Sequence, residues 1–106
     1  MIAGEPYVAF TPLLTRLRNE QFLRNFDLNH ERDPERQLAL FRSFIKIKPE
    51  SECYIFIPFH CEFGFNISMG TGGGIGPNCR LLDICPITIG DRVLLAPGVQ
   101  LLTGER

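Results

Sequence analysis

The sequence predicts a mainly β protein, a parallel β-helix of about two coils preceded by an α-helical N-terminal region. Three observations carry this expectation. An aliphatic residue followed by a small one recurs at a six-residue period, most clearly at Met69-Gly70, Ile75-Gly76, Ile89-Gly90 and Leu95-Ala96, while Leu81 and Leu101 keep the spacing but precede leucine. Small or aliphatic residues stand four places after the anchors, at Gly73, Cys79, Cys85, Val93 and Val99, as a narrow triangular interior requires if both sets point inward. Upstream of about residue 50 the apolar spacing becomes helical. Hexapeptide periodicity marks a solenoid in which each short strand buries its face only against neighbouring coils. Residues 1–50 are therefore assigned to the helical region and residues 51–106 to the β-helix.

The first helix starts at Thr11-Pro12, a capping hydroxyl followed by a proline suited to the first turn. Leu13, Leu14, Leu17, Phe22, Leu23 and Phe26 supply its expected apolar face, with Arg16, Arg18 and Arg24 among them. Those arginines suggest either an anion site or an outer face solvated or paired with Glu20, Glu31 and Glu35. Asp27 to Arg32 reads as a polar loop, and Asp33-Pro34 repeats the start signal. Leu38, Phe41 and Ile45 follow at helical spacing, with Leu40 and Phe44 widening the stripe. Lys46-Ile47-Lys48-Pro49 ends the helical region, and Tyr54 to Phe59 opens the β part. Within the repeat, a two-residue insertion at Ile87-Thr88 shifts the phase once.

The glycine-rich stretch Met69 to Gly76 has two other readings, a flexible linker and a phosphate loop. No glycine in it opens a G-x-G-x-x-G, and no Gly-Lys-Ser/Thr follows, so neither phosphate-cradling motif is present. Turns with close coil packing account better for the glycines. A formal net charge of −1 gives no basic footprint for nucleic acid. Met1 to Phe10 lacks a basic leader, and the most apolar stretch, Tyr54 to Phe59, is far below the roughly 20 residues that span a bilayer, so a cytoplasmic protein is expected. The four cysteines form no C-x-x-C, and neither His30 nor His60 stands at zinc-finger spacing, so no metal is expected. Cys79 and Cys85 are read as small buried hydrophobes. His60 and Cys61 are neighbours on an extended strand and so point to opposite faces, which argues against a nucleophilic dyad.

Several segments together resemble the maltose and galactoside O-acetyltransferases. They are Ile2 to Glu5 with Tyr7, Arg16 to Phe26, Pro58 to Ile67, Leu82 to Asp91, and Leu95 to Gln100. The resemblance implies a short helical cap before a left-handed parallel β-helix. It also implies trimers that move an acetyl group from acetyl-CoA to a sugar hydroxyl, with active sites between subunits. Such chemistry needs a base for the hydroxyl proton, donors for the developing oxyanion, and a slot for the pantetheine arm.

Residue by residue, the resemblance gives a divided result. Glu62 matches the residue that contacts the acceptor, and Asp83 belongs to the Leu-Asp pair, so both are candidate substrate-binding residues. Their structural alternatives are an exposed turn residue for Glu62 and a cap on backbone N–H groups for Asp83. Gly76 stands in the slot of an ordering asparagine, although Asn78 keeps the second one, and no acceptor-binding acid or amide is evident around Val8 and Ala9. Arg106 falls in the slot of the histidine base, and a guanidinium cannot serve as that base, so no catalytic residue is assigned. In the family the later coils carry most of the CoA contacts. The expectation is a truncated or inactive sugar O-acetyltransferase. The alternatives are a catalytically silent subunit that joins full-length homologues in a homo- or hetero-trimer, and an independent small-ligand module.

Overall fold

The computed structural model of the protein describes residues 12–103. Two helices, α1 (Pro12–Asn29) and α2 (Pro34–Phe44), precede eight short strands: β1 (Cys53–Ile55), β2 (Phe59–Cys61), β3 (Ile67–Met69), β4 (Gly73–Ile75), β5 (Cys79–Leu82), β6 (Ile87–Ile89), β7 (Leu94–Leu95) and β8 (Gln100–Leu102). All pairing is parallel and skips two strands, giving three sheets in the orders β1-β4-β7, β2-β5-β8 and β3-β6. The chain thus turns through three faces before it returns to pair with itself. Cys53 faces Gly73, Phe59 faces Cys79, Ile67 faces Ile87 and Arg80 faces Gln100, each a step of 20 residues.

That step corrects the single phase shift expected from the sequence. Strand starts lie six apart from Cys53 to Phe59 and eight apart from Phe59 to Ile67. The next coil repeats this, with six from Gly73 to Cys79 and eight from Cys79 to Ile87. The insertion therefore occurs in both coils, at the corner before β3 and before β6, and Ile87 itself is a buried strand residue. Cys85 falls in this corner and is only half-buried, whereas Cys79 is fully buried as expected. Val93 is exposed and Val99 half-buried, because they directly precede β7 and β8, the outermost described strands. The coils also begin earlier than the anchors indicated: Cys53, Phe59, Cys61, Ile67 and Met69 point inward beneath Gly73, Cys79, Leu81, Ile87 and Ile89. The interior stacks like on like, which makes each added coil bury the one before it. Tyr54 to Phe59 is two strands and a corner rather than one run, with a cis peptide at Ile57-Pro58.

Asp83 governs the longer corner. It is fully buried, and its carboxylate accepts N–H groups from Glu62 (3.1 Å), Phe63 (2.8 Å), Gly64 (2.8 Å) and Asn66 (3.1 Å) of the coil below. Gly64 is required there: its φ is +89°, and a Cβ would lie 2.7 Å from the Phe44 carbonyl oxygen. Asn66 answers by donating its side-chain amide to the carbonyls of Asp83 and Ile84. One step of 20 further on, Thr103 repeats the device with a hydroxyl, which accepts the Cys85 N–H at 2.9 Å and donates to the Leu82 carbonyl at 2.8 Å. Ser51, Thr71 and Asp91 mark a second corner at the same interval. There Thr71 Oγ1 accepts the Glu52 N–H, and Asp91 Oδ1 accepts the Thr71 N–H.

The helices depart from the expected packing. Of the apolar residues assigned to the inner face of α1, Leu13, Phe22, Leu23 and Phe26 are exposed, and the helix instead buries Gln21, Asn25 and Leu28. The reason lies in what it covers. The free edge of β2 carries backbone groups that need partners. Asn29 supplies both, donating to the Phe59 carbonyl and accepting the Phe59 N–H at 2.9 Å each, and Asn25 donates to the Cys61 carbonyl at 2.9 Å. Two carboxamides thus stand in for a missing strand. The expected loop at Asp27 to Arg32 starts later, since α1 runs to Asn29. The Thr11 cap lies outside the described residues.

In α2, Asp33 caps as expected, accepting the Glu35 N–H at 3.1 Å, and Phe41 and Phe44 are buried. Ile45 is the C-cap rather than a helical residue. Lys46 then pairs with Ser68, so its backbone covers the free edge of β3. Phe41 meets Phe59 edge to face at 5.3 Å, joining helix to coil. No helix among the described residues is long and apolar enough to cross a membrane.

Removing the Asp83 carboxylate takes the acceptor from the N–H groups of Phe63, Gly64 and Asn66, while that of Glu62 keeps the Leu81 carbonyl. Asp83→Ala is expected to destabilise the protein by on the order of 3 kcal/mol, and Asp83→Asn by less, since one carbonyl oxygen remains. Urea unfolding followed by circular dichroism checks this; equal midpoints for wild type and Asp83→Ala would contradict the role of the carboxylate.

Candidate functional site

The residues with the richest chemistry collect in a groove of about 350 Å³ between α1 and the outer surface of β2 and β5. Arg18, Phe22 and Asn25 come from the helix, and His60, Glu62 and Arg80 from the coils. Alternation explains the coil side. Phe59 and Cys61 point inward on β2, so His60 points outward, and register places it beside Arg80 on β5 and Arg80 beside Gln100 on β8. Glu62 follows β2 directly, and its backbone is pinned by Asp83 and by donation to the Leu81 carbonyl at 3.2 Å.

The Glu62 carboxylate forms an ion pair with Arg18 Nε, and both side chains are partly shielded. Arg18 also lies over the Phe63 ring, 5.1 Å from its centroid, and Phe63 is buried. The guanidinium is thus held from two sides, and it in turn fixes one oxygen of Glu62. Glu62 lines the groove, where a carboxylate can accept a hydrogen bond from a hydroxyl. Of the arginines read as an anion site or as partners of Glu20, Glu31 and Glu35, Arg18 instead pairs with a residue 44 positions away.

Partial burial, and then the charge of Arg80, hold the His60 ring below its ordinary value of 6.5. The ring is neutral at pH 7 and offers one donor and one acceptor nitrogen. Its neighbour Cys61 is buried behind the strand, where burial first, and the Asp83 and Glu62 charges next, push the thiol far above its usual range. His60 and Cys61 do point to opposite sides, and Cys61 is not a nucleophile.

Asp83 is not in the groove. It is fully buried, its oxygens face the corner beneath it, and burial raises its carboxyl above the ordinary value against the pull of its N–H donors from Phe63, Asn66 and Gly64. A sugar hydroxyl has no access to it here, so its structural alternative describes what it does in this coil. Gly76 is fixed by close approach: an added Cβ would lie 2.9 Å from the Pro97 nitrogen and 3.0 Å from the Leu95 carbonyl oxygen of the next coil. An asparagine side chain has no room at that position in this backbone. Asn78 holds a left-handed φ of 63° at the start of β5. Arg106 and the segment around Val8 and Ala9 lie outside the described residues. Among the described residues, no group of three or more His, Cys, Asp or Glu is placed to hold a metal ion.

The sequence reading did not bring Arg18, His60 and Arg80 to one groove: it weighed Arg18 among three helix arginines and His60 only as a partner of Cys61, and it did not single out Arg80. The 20-residue step was the available signal for His60 and Arg80, whereas the Arg18–Glu62 pair has no periodicity behind it.

With this geometry in view, comparison with known proteins gives a consistent picture. Residues 1–46 match the model of the maltose acetyltransferase hexapeptide capping motif. The chain is 46% identical over 48 residues to nodulation protein L of Rhizobium meliloti (strain 1021), a match that covers 45% of this chain and 26% of that protein. It is 30% identical over 91 residues to galactoside O-acetyltransferase of Escherichia coli (strain K12), covering 85% of this chain and 44% of that one. The structure superposes, with a TM-score of 0.78 and 33% identity, on a hexapeptide-repeat containing acetyltransferase from Vibrio cholerae O1 biovar eltor complexed with acetyl coenzyme A, covering 87% of this chain and 50% of that one. The chain therefore spans about half the length, or less, of these relatives.

Because the His60 ring sits below 6.5 in the fold, it binds its proton more weakly there than in the unfolded chain, so the fold loses stability as pH falls from 6.5 through the ring's lower folded value. In a proton NMR titration His60 is expected to show a midpoint below 6.5. Arg80→Ala should raise it only part of the way, burial being the larger cause. A midpoint at or above 6.5 in the native protein would contradict this placement.

Proposed function

We propose that this chain, a relative of the hexapeptide-repeat acetyltransferases of the maltose and galactoside type, carries the acceptor-binding part of a sugar O-acetyltransferase site. The observation that carries the reading is the Arg18–Glu62 pair. It joins the helical region to the first coil and sets a carboxylate at the mouth of a groove that also holds a neutral His60 and the Arg80 guanidinium. A carboxylate, an imidazole and a guanidinium around one small groove are suited to the hydroxyls of a sugar, each of which both donates and accepts. Glu62 takes a hydroxyl proton in a hydrogen bond, Arg18 keeps the carboxylate aimed, and His60 and Arg80 fix the ring by its other hydroxyls. Asp83 contributes indirectly, by holding the turn that presents Glu62.

Acetyl-CoA is the donor that the family resemblance implies. Four grooves of the described surface do not fit it well: each is about 350 Å³ or less, Arg18 is already paired with Glu62, and the groove at Lys48 is shared with the carboxylates of Glu50 and Asp91. A pyrophosphate would meet more negative than positive charge there. The donor and the base are assigned to residues outside the described part or to another subunit, and Arg106 in the histidine slot supports that assignment.

Tyr54 and Leu94 fold over Gly74 on the outer face of β1-β4-β7 and are 61% and 73% exposed. These apolar side chains favour a second reading in addition, a subunit that associates with its own kind or with a longer homologue through this face.

The 106-residue chain is expected to bind methyl glucosides, maltose or galactosides weakly, with Glu62→Gln abolishing chemical-shift changes at His60. It should show no acetyl transfer above background, since loss of a general base removes roughly 10²–10⁴-fold of rate. Turnover like that of an intact acetyltransferase would refute the assignment of the base. For the assembly, sedimentation is expected to show oligomers that Leu94→Ser and Tyr54→Ser weaken; a stable monomer at all concentrations would exclude it.

A further inference from the structure

The outer face of β2-β5-β8 carries one row of polar side chains in register, with His60 beside Arg80 and Arg80 beside Gln100. Phe59, Cys61, Cys79 and Leu81 are buried, so alternation turns His60 and Arg80 outward. Arg80 is exposed and lines the same groove as Glu62. The two guanidinium groups of that groove differ in their company. Arg18 is neutralised by Glu62, whereas no carboxylate among the described residues forms an ion pair with Arg80. On one side of Arg80 the His60 ring is neutral at pH 7, and on the other Gln100 is an uncharged amide. The groove therefore carries one uncompensated positive charge, in the middle of a row of hydrogen-bonding groups.

We infer that the acceptor is an acidic sugar, a uronic acid glycoside whose carboxylate pairs with Arg80 while a hydroxyl of its ring meets Glu62. The inference rests on the acceptor reading above and adds the chemical class of the molecule. Glu62 lies two residues on from His60, the register partner of Arg80, which puts the Glu62 and Arg80 Cα atoms about 8 Å apart. That span suits two substituents of one sugar ring. A neutral sugar would give the guanidinium hydroxyls alone and leave its charge unanswered, while a carboxylate matches the planar fork of its donors. His60 and Gln100 flank the pair, each with an N–H to give. A single negative charge balances the groove, whereas a phosphate monoester carries up to about two and would be set against Glu62 as well.

The test compares methyl β-D-glucuronide with methyl β-D-glucoside by NMR titration of the 106-residue protein. The glucuronide is expected to bind about fivefold more tightly at low salt, the upper range for an ion pair open to solvent, and the advantage should shrink at about 0.5 M salt. Saturating glucuronide should also raise the His60 titration midpoint, because its carboxylate offsets the Arg80 charge that helps to hold the ring below 6.5. The glucoside should not. Arg80→Gln should bring the affinity ratio to one and remove the rise in midpoint, and Arg80→Lys should keep part of each. Gln100→Glu, which sets a carboxylate beside the intact guanidinium, should abolish the preference too. Both positions are exposed, so the melting temperature should not move. Equal affinities for the two glycosides overturn the inference and leave the sugar site standing. A preference that survives Arg80→Gln places the carboxylate at another cation and also overturns it. Tighter binding of adenosine 3′,5′-bisphosphate than of the glucuronide, lost in Arg80→Gln, gives this guanidinium to a phosphate ligand and overturns it as well. Binding of neither glycoside overturns the acceptor reading and the inference together.

Discussion

A stack of parallel coils ends in a ring of backbone groups without partners, and the organisation of this protein follows from how the first ring is closed. A free strand edge left to water invites another chain, and one buried without partners costs free energy for every N–H and C=O. Here the edge of β2 is closed by Asn25 and Asn29, and that of β3 by the backbone of Lys46. That requirement turns the polar side of α1 inward. It leaves Phe22, Leu23 and Phe26 facing out, and it carries Arg18 to Glu62. The groove follows from the same closure, since its two walls are the helix and the coil surface that the carboxamides hold together.

Much of the coil was legible in the sequence, because an interior three strands wide repeats its requirements in every turn. Ile75, Leu81 and Ile89 are inward-facing as their spacing indicates, and Cys79 is a buried hydrophobe. The earlier coil was harder to see. Cys53, Phe59, Cys61 and Ile67 obey the same alternation, but aromatic and sulfur side chains replace the aliphatic-then-small pairs that make the rhythm conspicuous later. The insertion looked like a single event for the same reason: its first copy, around Phe63 to Asn66, precedes the stretch in which the period can be counted.

The site was less legible than the fold. Glu62 could be singled out by resemblance, but its environment is made by Arg18, 44 residues earlier, and no local pattern links the two. The helix was misjudged because amphipathic reasoning assumes an apolar partner, and α1 packs on exposed peptide groups instead. Asp83 shows the reverse case. It is fully buried, and its carboxylate accepts four N–H groups and orders the turn below, the structural one of the two roles that the sequence left open.

The 20-residue step from Asp83 to Thr103 has a further consequence. Coils of nearly equal length and similar interior could in principle stack out of order during folding, with the third laid directly on the first. In that arrangement Thr103 would face the turn from Glu62 to Asn66 and offer one neutral oxygen where four donors converge. Only the coil that carries the carboxylate satisfies them. Asp83 therefore acts as a key that fits one turn of the stack, and the order of the coils is written in the polarity of a corner rather than in the shape of the core.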